Sequence, residues 1–184
     1  MKNLKFIIPT LLLTIVMASC SSDDDTPEAV NEEEVITSVI VTLVSDSGTV
    51  TLSSIDLDGD GPNEPEVIVT GNLKAETTYA GAVQFLNATE IPVENITEEV
   101  EEEADEHQVF YIPGGDFDAT VTYGNFDENG NPLGTVFSLE TGVAATGTLN
   151  VTLRHQPTKP NDGTLADAGG ETDVSVNFPV TVEE

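Results

Sequence analysis

The segment Asp56-Leu57-Asp58-Gly59-Asp60-Gly61 sets three acids at alternate positions and follows them with glycine. Alternating carboxylates in a tight turn can converge on a hard cation such as Ca²⁺, which takes about six to eight oxygen ligands. Glu64 stands at the ninth place of such a loop, where a further oxygen is often supplied. The twelfth place, which needs a bidentate glutamate, is Val67, and Glu66 falls one residue early. Asp56, Asp58, Asp60 and Glu64 therefore form either an irregular, weak calcium loop or an Asp/Gly/Pro connection between two strands. His107 and His155 are the only histidines. Two imidazoles with carboxylates beside them make a Zn²⁺ or Cu²⁺ site if the fold joins them. Otherwise they are two unrelated, half-exposed residues at strand ends. No cofactor is demanded by the sequence; calcium is the candidate.

Other chemistry is thinner. Arg154 and Lys159 flank His155, and the loop from Pro157 to Gly170 has no clear structure. Such a spot could receive an anion, but pairing with the chain's own surplus carboxylates is the simpler use. Val44-Ser45-Asp46-Ser47-Gly48 echoes the hydrophobic-Asp-Ser-Gly motif of aspartic proteases, yet that chemistry needs two carboxylates sharing a proton and no second copy occurs. Gly-x-Ser-x-Gly, P-loop and zinc-protease helix motifs are absent. With no nucleophile–base constellation, the chain reads as non-enzymatic.

Composition narrows the partners. The chain has 184 residues, 34 acids against 5 Lys and Arg, and a formal charge of −29. Phosphates are repelled by such a surface, which excludes ordinary binding to nucleic acid or to an anionic membrane face. One Cys allows neither an internal disulfide nor a four-Cys zinc site. No Trp is present, which weakens a carbohydrate-binding reading. At 38% hydrophobic residues a core can still form.

Residues 1–19 read as a signal peptide: Lys2 and Lys5 precede an apolar run from Phe6 to Met17 that is too short to span a bilayer stably. Met17-Ala18-Ser19-Cys20 resembles the lipobox of bacterial lipoproteins, which implies a lipidated Cys20 and cleavage before it. Several acyl chains on one residue give lasting anchorage, at about 0.8 kcal/mol per buried CH₂. Ser21-Ser22-Asp23-Asp24-Asp25 resembles the surface-export signal of Bacteroidota-type lipoproteins, which implies the outer membrane and its outer leaflet, a periplasm-facing anchor being the alternative. Loss of Lys2 and Lys5 leaves three cations against 34 acids, a charge of −31.

Residues 20–34 read as an acidic tether and 35–184 as the folded domain. Val39, Val41 and Leu43 begin a period-two pattern, Ser45-Asp46-Ser47-Gly48 turns it, and Val50 and Leu52 resume it, so a hairpin is expected. Further β runs lie near Val67 to Thr70, Tyr79 to Leu86, Gln108 to Ile112, Ala119 to Tyr123, Thr135 to Leu139 and Thr148 to Arg154. In the last run Val174, Val176, Phe178, Val180 and Val182 share one face, and Pro179 places that strand at an edge or a bulge. Asn95 and Glu98 suggest the capped start of a short surface helix, with Ile96, Val100 and Ala104 on one side. Asn129-Gly130 marks a hairpin turn. The expectation is mainly β: an immunoglobulin-like antiparallel β-sandwich of about nine strands with one short helix, a β-barrel being the alternative.

Most of the mature chain also resembles small acidic flavobacterial-type lipoproteins that are uncharacterised. The likeness rests on Ser21-Ser22-Asp23-Asp24-Asp25, Asp56-Leu57-Asp58-Gly59-Asp60-Gly61-Pro62, Ile96-Thr97-Glu98-Glu99-Val100-Glu101-Glu102-Glu103 and Leu153-Arg154-His155. Such proteins are sometimes labelled type 1 periplasmic-binding-fold proteins, a two-lobed α/β fold whose length and strand–helix alternation this chain lacks. The resemblance transfers no catalytic residue. A lipid-anchored outer-membrane protein with a binding or structural role is expected, accessory to an outer-membrane protein partner, with metal capture as the alternative.

Overall fold

Strands with one apolar face must bury that face, and here two sheets do so against each other. The computed structural model describes residues 34–58 and 62–184. Ser38–Ser45 (β1) and Gly48–Ile55 (β2) form the expected hairpin, which closes from Ser45 to Gly48. Glu66–Thr70 (β3), Leu73–Lys74 (β4), Thr78–Asn87 (β5) and Glu94–Asn95 (β6) lead into a helix, Ile96–Glu102 (α1). His107–Gly115 (β7), Ala119–Tyr123 (β8), Val136–Thr141 (β9) and Ala145–His155 (β10) follow, then a helical turn, Leu165–Ala168 (α2), and the last strand, Glu171–Glu183 (β11). One sheet has the order β3-β2-β1-β5-β9-β8, with β6 paired to β5, and the other has the order β4-β11-β10-β7. The β4–β11 pair is parallel.

The core lies between the sheets. Val39, Val41, Leu43, Leu52, Phe85 and Leu139 from the first meet Val109, Leu149, Val151, Leu153 and Phe178 from the second, all but excluded from solvent. The fold is the β-sandwich expected. It has eleven strands in place of about nine, because β4 and β6 are two-residue pairings too short to leave an alternating pattern. The segment expected as an unstructured loop from Pro157 to Gly170 contains α2, capped where Thr164 Oγ1 accepts from the Asp167 amide. That segment meets the start of β7, where Asn161 Nδ2 donates to Gln108 Oε1.

α1 follows the sequence pattern, with Ile96 and Val100 buried and Ala104 packed against the core beyond its end. Its cap differs. The Asn95 side chain bonds Glu98 Oε1 at 2.9 Å and makes no cap bond to the backbone. At Pro179, β11 has β10 on one side, while β4 pairs only with Val182 and Glu183. The missing proline N–H is therefore accommodated at an open edge, as expected, and the bulge in this strand lies elsewhere. Asn129-Gly130 turns the chain within the connection between β8 and β9, where the Gly130 amide bonds the Asp127 carbonyl.

Phe178 is fully buried at the centre of β11. Replacing it with alanine should remove about 3–5 kcal/mol of stability. Chemical denaturation of wild type and Phe178→Ala measures this, and an unchanged midpoint would place the side chain outside the stabilising core.

Candidate metal centre

β7 and β10 are ladder neighbours, and their register sets His107 directly opposite His155. On β7 the inward row runs His107, Val109, Tyr111; on β10 it runs His155, Leu153, Val151. The histidines thus occupy the end of a core-facing row, where an apolar pair would ordinarily stand. They are buried, and their rings stack with centroids 4.8 Å apart and planes 22° apart. They are neither half-exposed nor unrelated.

Asp173 joins them through an irregularity. The β10–β11 ladder pairs Leu153 with Val174 but Arg154 with Thr172, which leaves Asp173 as the extra residue of a β-bulge. Strict alternation would point Asp173 outward with Ser175 and Asn177; a bulge resets that direction. The Asp173 side chain is wholly buried, with Oδ1 3.7 Å from His155 Nδ1 and Oδ2 4.0 Å from His107 Nε2. Gly170 makes the approach possible. Its φ is +71°, and a Cβ there would run into the His155 carbonyl oxygen.

Glu34 supplies the fourth group from ahead of β1. Its side chain is 6% exposed, with Oε1 2.9 Å from His107 Nε2 and Oε2 4.0 Å from His155 Nδ1. The sequence places Glu34 at the end of the tether; in the structure it belongs to the domain. Ligand atoms of Glu34, His107, His155 and Asp173 all lie within 4.8 Å of one another. Tetrahedral zinc, with ligands at about 2.0–2.2 Å, separates its donors by about 3.3–3.6 Å. Four imidazole–carboxylate separations within this group, 2.9 to 4.0 Å, bracket that spacing.

The hydrogen bond on the outer side of His107 leaves its Nε2 for the cluster. His107 Nδ1 lies 3.2 Å from the Glu103 carbonyl oxygen, which only accepts, so Nδ1 carries a proton. Nε2 is then the nitrogen that faces the cluster and is placed to serve as a ligand. Nε2 makes no hydrogen bond although Glu34 Oε1 is 2.9 Å away, and Glu34 Oε2 is buried with no hydrogen-bond partner. A shared cation would make both of them ligands and compensate the buried carboxylate. The outer nitrogen of His155 faces Glu106 Oε2 at 3.8 Å, and Gln156 Nε2 holds that carboxylate at 3.1 Å. His107 thus has an acceptor from the turn after α1 on its outer nitrogen, the arrangement that orients metal-binding imidazoles, while the carboxylate of the same turn that faces His155 lies beyond hydrogen-bond distance. The surroundings are negative. Burial, and then the charges of Glu34, Glu103 and Glu94, hold the Glu99 carboxyl above the usual range.

Among the described residues the other sequence candidates, Asp56, Asp58 and Glu64, are not part of this centre. Asp58 Oδ2 accepts from Asn63 Nδ2 at 2.6 Å, so this carboxylate closes its own turn. Asp56 follows β2, Glu64 is exposed, and Asp60 lies outside the described residues, as does Cys20. Among the described residues Asp56, Asp58 and Glu64 do not gather with each other as metal ligands; the converging group is the one around His107. The three described cations have partners of their own. Lys159 Nζ donates to the Ala104 carbonyl at 2.6 Å and lies 3.6 Å from Asp127 Oδ2. Burial lowers the Lys159 pKa. Arg154 bonds the Gly170 carbonyl and Thr172 Oγ1, and Lys74 pairs with Glu183. The sequence reading missed Glu34 and Asp173. The parity of His107 with Val109 and Tyr111 was a usable signal for the histidines, whereas no pattern announces a bulge.

Millimolar Ca²⁺ should raise the melting temperature no more than NaCl of matched ionic strength, in wild type and in Asp58→Asn with Asp60→Asn alike, because screening relieves the repulsion of so acidic a chain. A calcium-specific rise lost in the double variant would assign a cation to the 56–61 turn after all.

In comparisons with known proteins, the chain matches no family model, no curated protein and no solved structure.

Proposed function

We propose that this protein is a non-catalytic, lipid-anchored metal-binding protein of the outer membrane that holds one divalent transition-metal ion, zinc by preference, between Glu34, His107, His155 and Asp173. The convergence of four buried donors within 4.8 Å carries this reading. Two imidazoles select zinc or copper over calcium, which prefers an all-oxygen shell. Four protein ligands complete a tetrahedral shell, whereas catalytic zinc keeps a position open for water or substrate. That distinction supports a holding role over a catalytic one. Met17-Ala18-Ser19-Cys20 and the acidic run after it support the anchor, which would hold the metal at the cell surface within reach of an outer-membrane protein partner.

Isothermal titration of Zn²⁺, Cu²⁺ and Ca²⁺ into chelator-treated protein tests the site. The expected result is one Zn²⁺ per chain, no competing Ca²⁺, and loss of high affinity in His107→Gln and His155→Gln. At a hundredfold excess over its dissociation constant, zinc should stabilise the fold by about 2.7 kcal/mol, or roughly 5–10 °C in melting temperature. Equal zinc binding by both variants would overturn the site. Tighter binding of Cu²⁺ would change the cargo and leave the ligands in place.

The anchor has its own test. Cys20→Ala should leave the chain uncleaved or release it from the membrane fraction. A variant of mature mobility that still partitions into detergent would place the anchor elsewhere.

A further inference from the structure

Taking the zinc reading of the site as its basis, we propose that Glu34 is the exchangeable ligand: a strap that closes over a cation seated on His107, His155 and Asp173 and opens to load or release it. The four ligands are held very differently. His107 and His155 face each other in the β7–β10 ladder, and Asp173 is the bulge residue of β11, with Thr172 and Val174 paired to β10 on either side of it. Moving the backbone of either histidine, or of the paired neighbours that hold Asp173, means breaking sheet hydrogen bonds. Glu34 precedes β1 and belongs to no strand.

The anchorage on its side of the chain begins at Thr37. There the amide donates to the Leu86 carbonyl at 2.9 Å, the carbonyl accepts from Asp56, and Oγ1 accepts from the Ala88 amide. Ile36 packs on the core, but Val35, between it and Glu34, is 58% exposed. Among the described residues, the contacts that fix Glu34 in place are those of its carboxylate with the two imidazoles.

That carboxylate is buried beside the wholly buried Asp173, and its Oε2 meets no hydrogen-bond donor. With a cation present, both carboxylates are ligands. Without one, the group that can leave without breaking a ladder is Glu34. Cation binding and closure of the strap are thereby linked, each favouring the other by the same factor. A three-ligand seat on one sheet with a fourth ligand outside the strands is the design of a site that exchanges its metal, in contrast to one closed permanently at folding.

The test uses the full-length protein and Zn²⁺ alone as probe, with zinc release to excess chelator and amide hydrogen exchange over residues 34–36 as readouts. Loss of an outer hydrogen-bond partner already weakens a metal site about 10–100-fold. Glu34→Gln should therefore still bind zinc but release it at least about tenfold faster than wild type. Zinc should slow amide exchange over residues 34–36 by about tenfold or more in wild type and have little effect there in Glu34→Gln. Unchanged release by the variant, or exchange over residues 34–36 indifferent to zinc in wild type, overturns the strap while leaving the site intact. Failure of wild type to bind zinc overturns the site and the strap together.

Discussion

Contact between two apolar strand faces carries this protein, because almost nothing on its surface attracts. Thirty-four acids face five cations in the whole chain, and the three cations of the described domain are engaged with backbone oxygens, a hydroxyl and acids. Burial of Val41, Leu43, Leu153, Phe178 and their neighbours must therefore outweigh both chain entropy and a charge repulsion that grows as salt falls. Everything else hangs from that contact. The ladders hold register, register sets which side chains point inward, and one inward row ends in two histidines.

The core was legible in the sequence because period-two alternation is a local signal. Val174, Val176, Phe178, Val180 and Val182 announce their own strand, and Ser45-Asp46-Ser47-Gly48 announces a hairpin. Ile96 and Val100 mark the buried side of α1 even though the Asn95 cap bonds a different partner. What a few residues cannot announce is pairing over long separations. β4 is two residues long and is defined only by a parallel neighbour more than a hundred positions away. The order of strands in each sheet is likewise a property of the whole chain.

The metal centre was half legible for the same reason. His107 and His155 are chemically conspicuous, but their adjacency comes from the β7–β10 register, which no short window contains. Glu34 is one acid in an acidic run, indistinguishable by type from Glu32 and Glu33 before it. Asp173 sits at a position whose parity points it to solvent. Conversely, the Asp56 to Gly61 segment has the more suggestive spelling, yet Asp58 spends its carboxylate on Asn63. Spacing along a chain predicts a ligand set only where the backbone between the residues is itself a fixed loop.

The bulge at Asp173 bears on how such a centre can arise. One extra residue between Thr172 and Val174 turns a carboxylate inward while the ladder resumes on both sides of it. A single-codon insertion or deletion at this point would therefore add or remove one ligand and leave the Val174-to-Val182 face in its place. The sandwich can thus persist through a lineage while the centre at its end is acquired, lost or retuned, each change one short mutational step from the last.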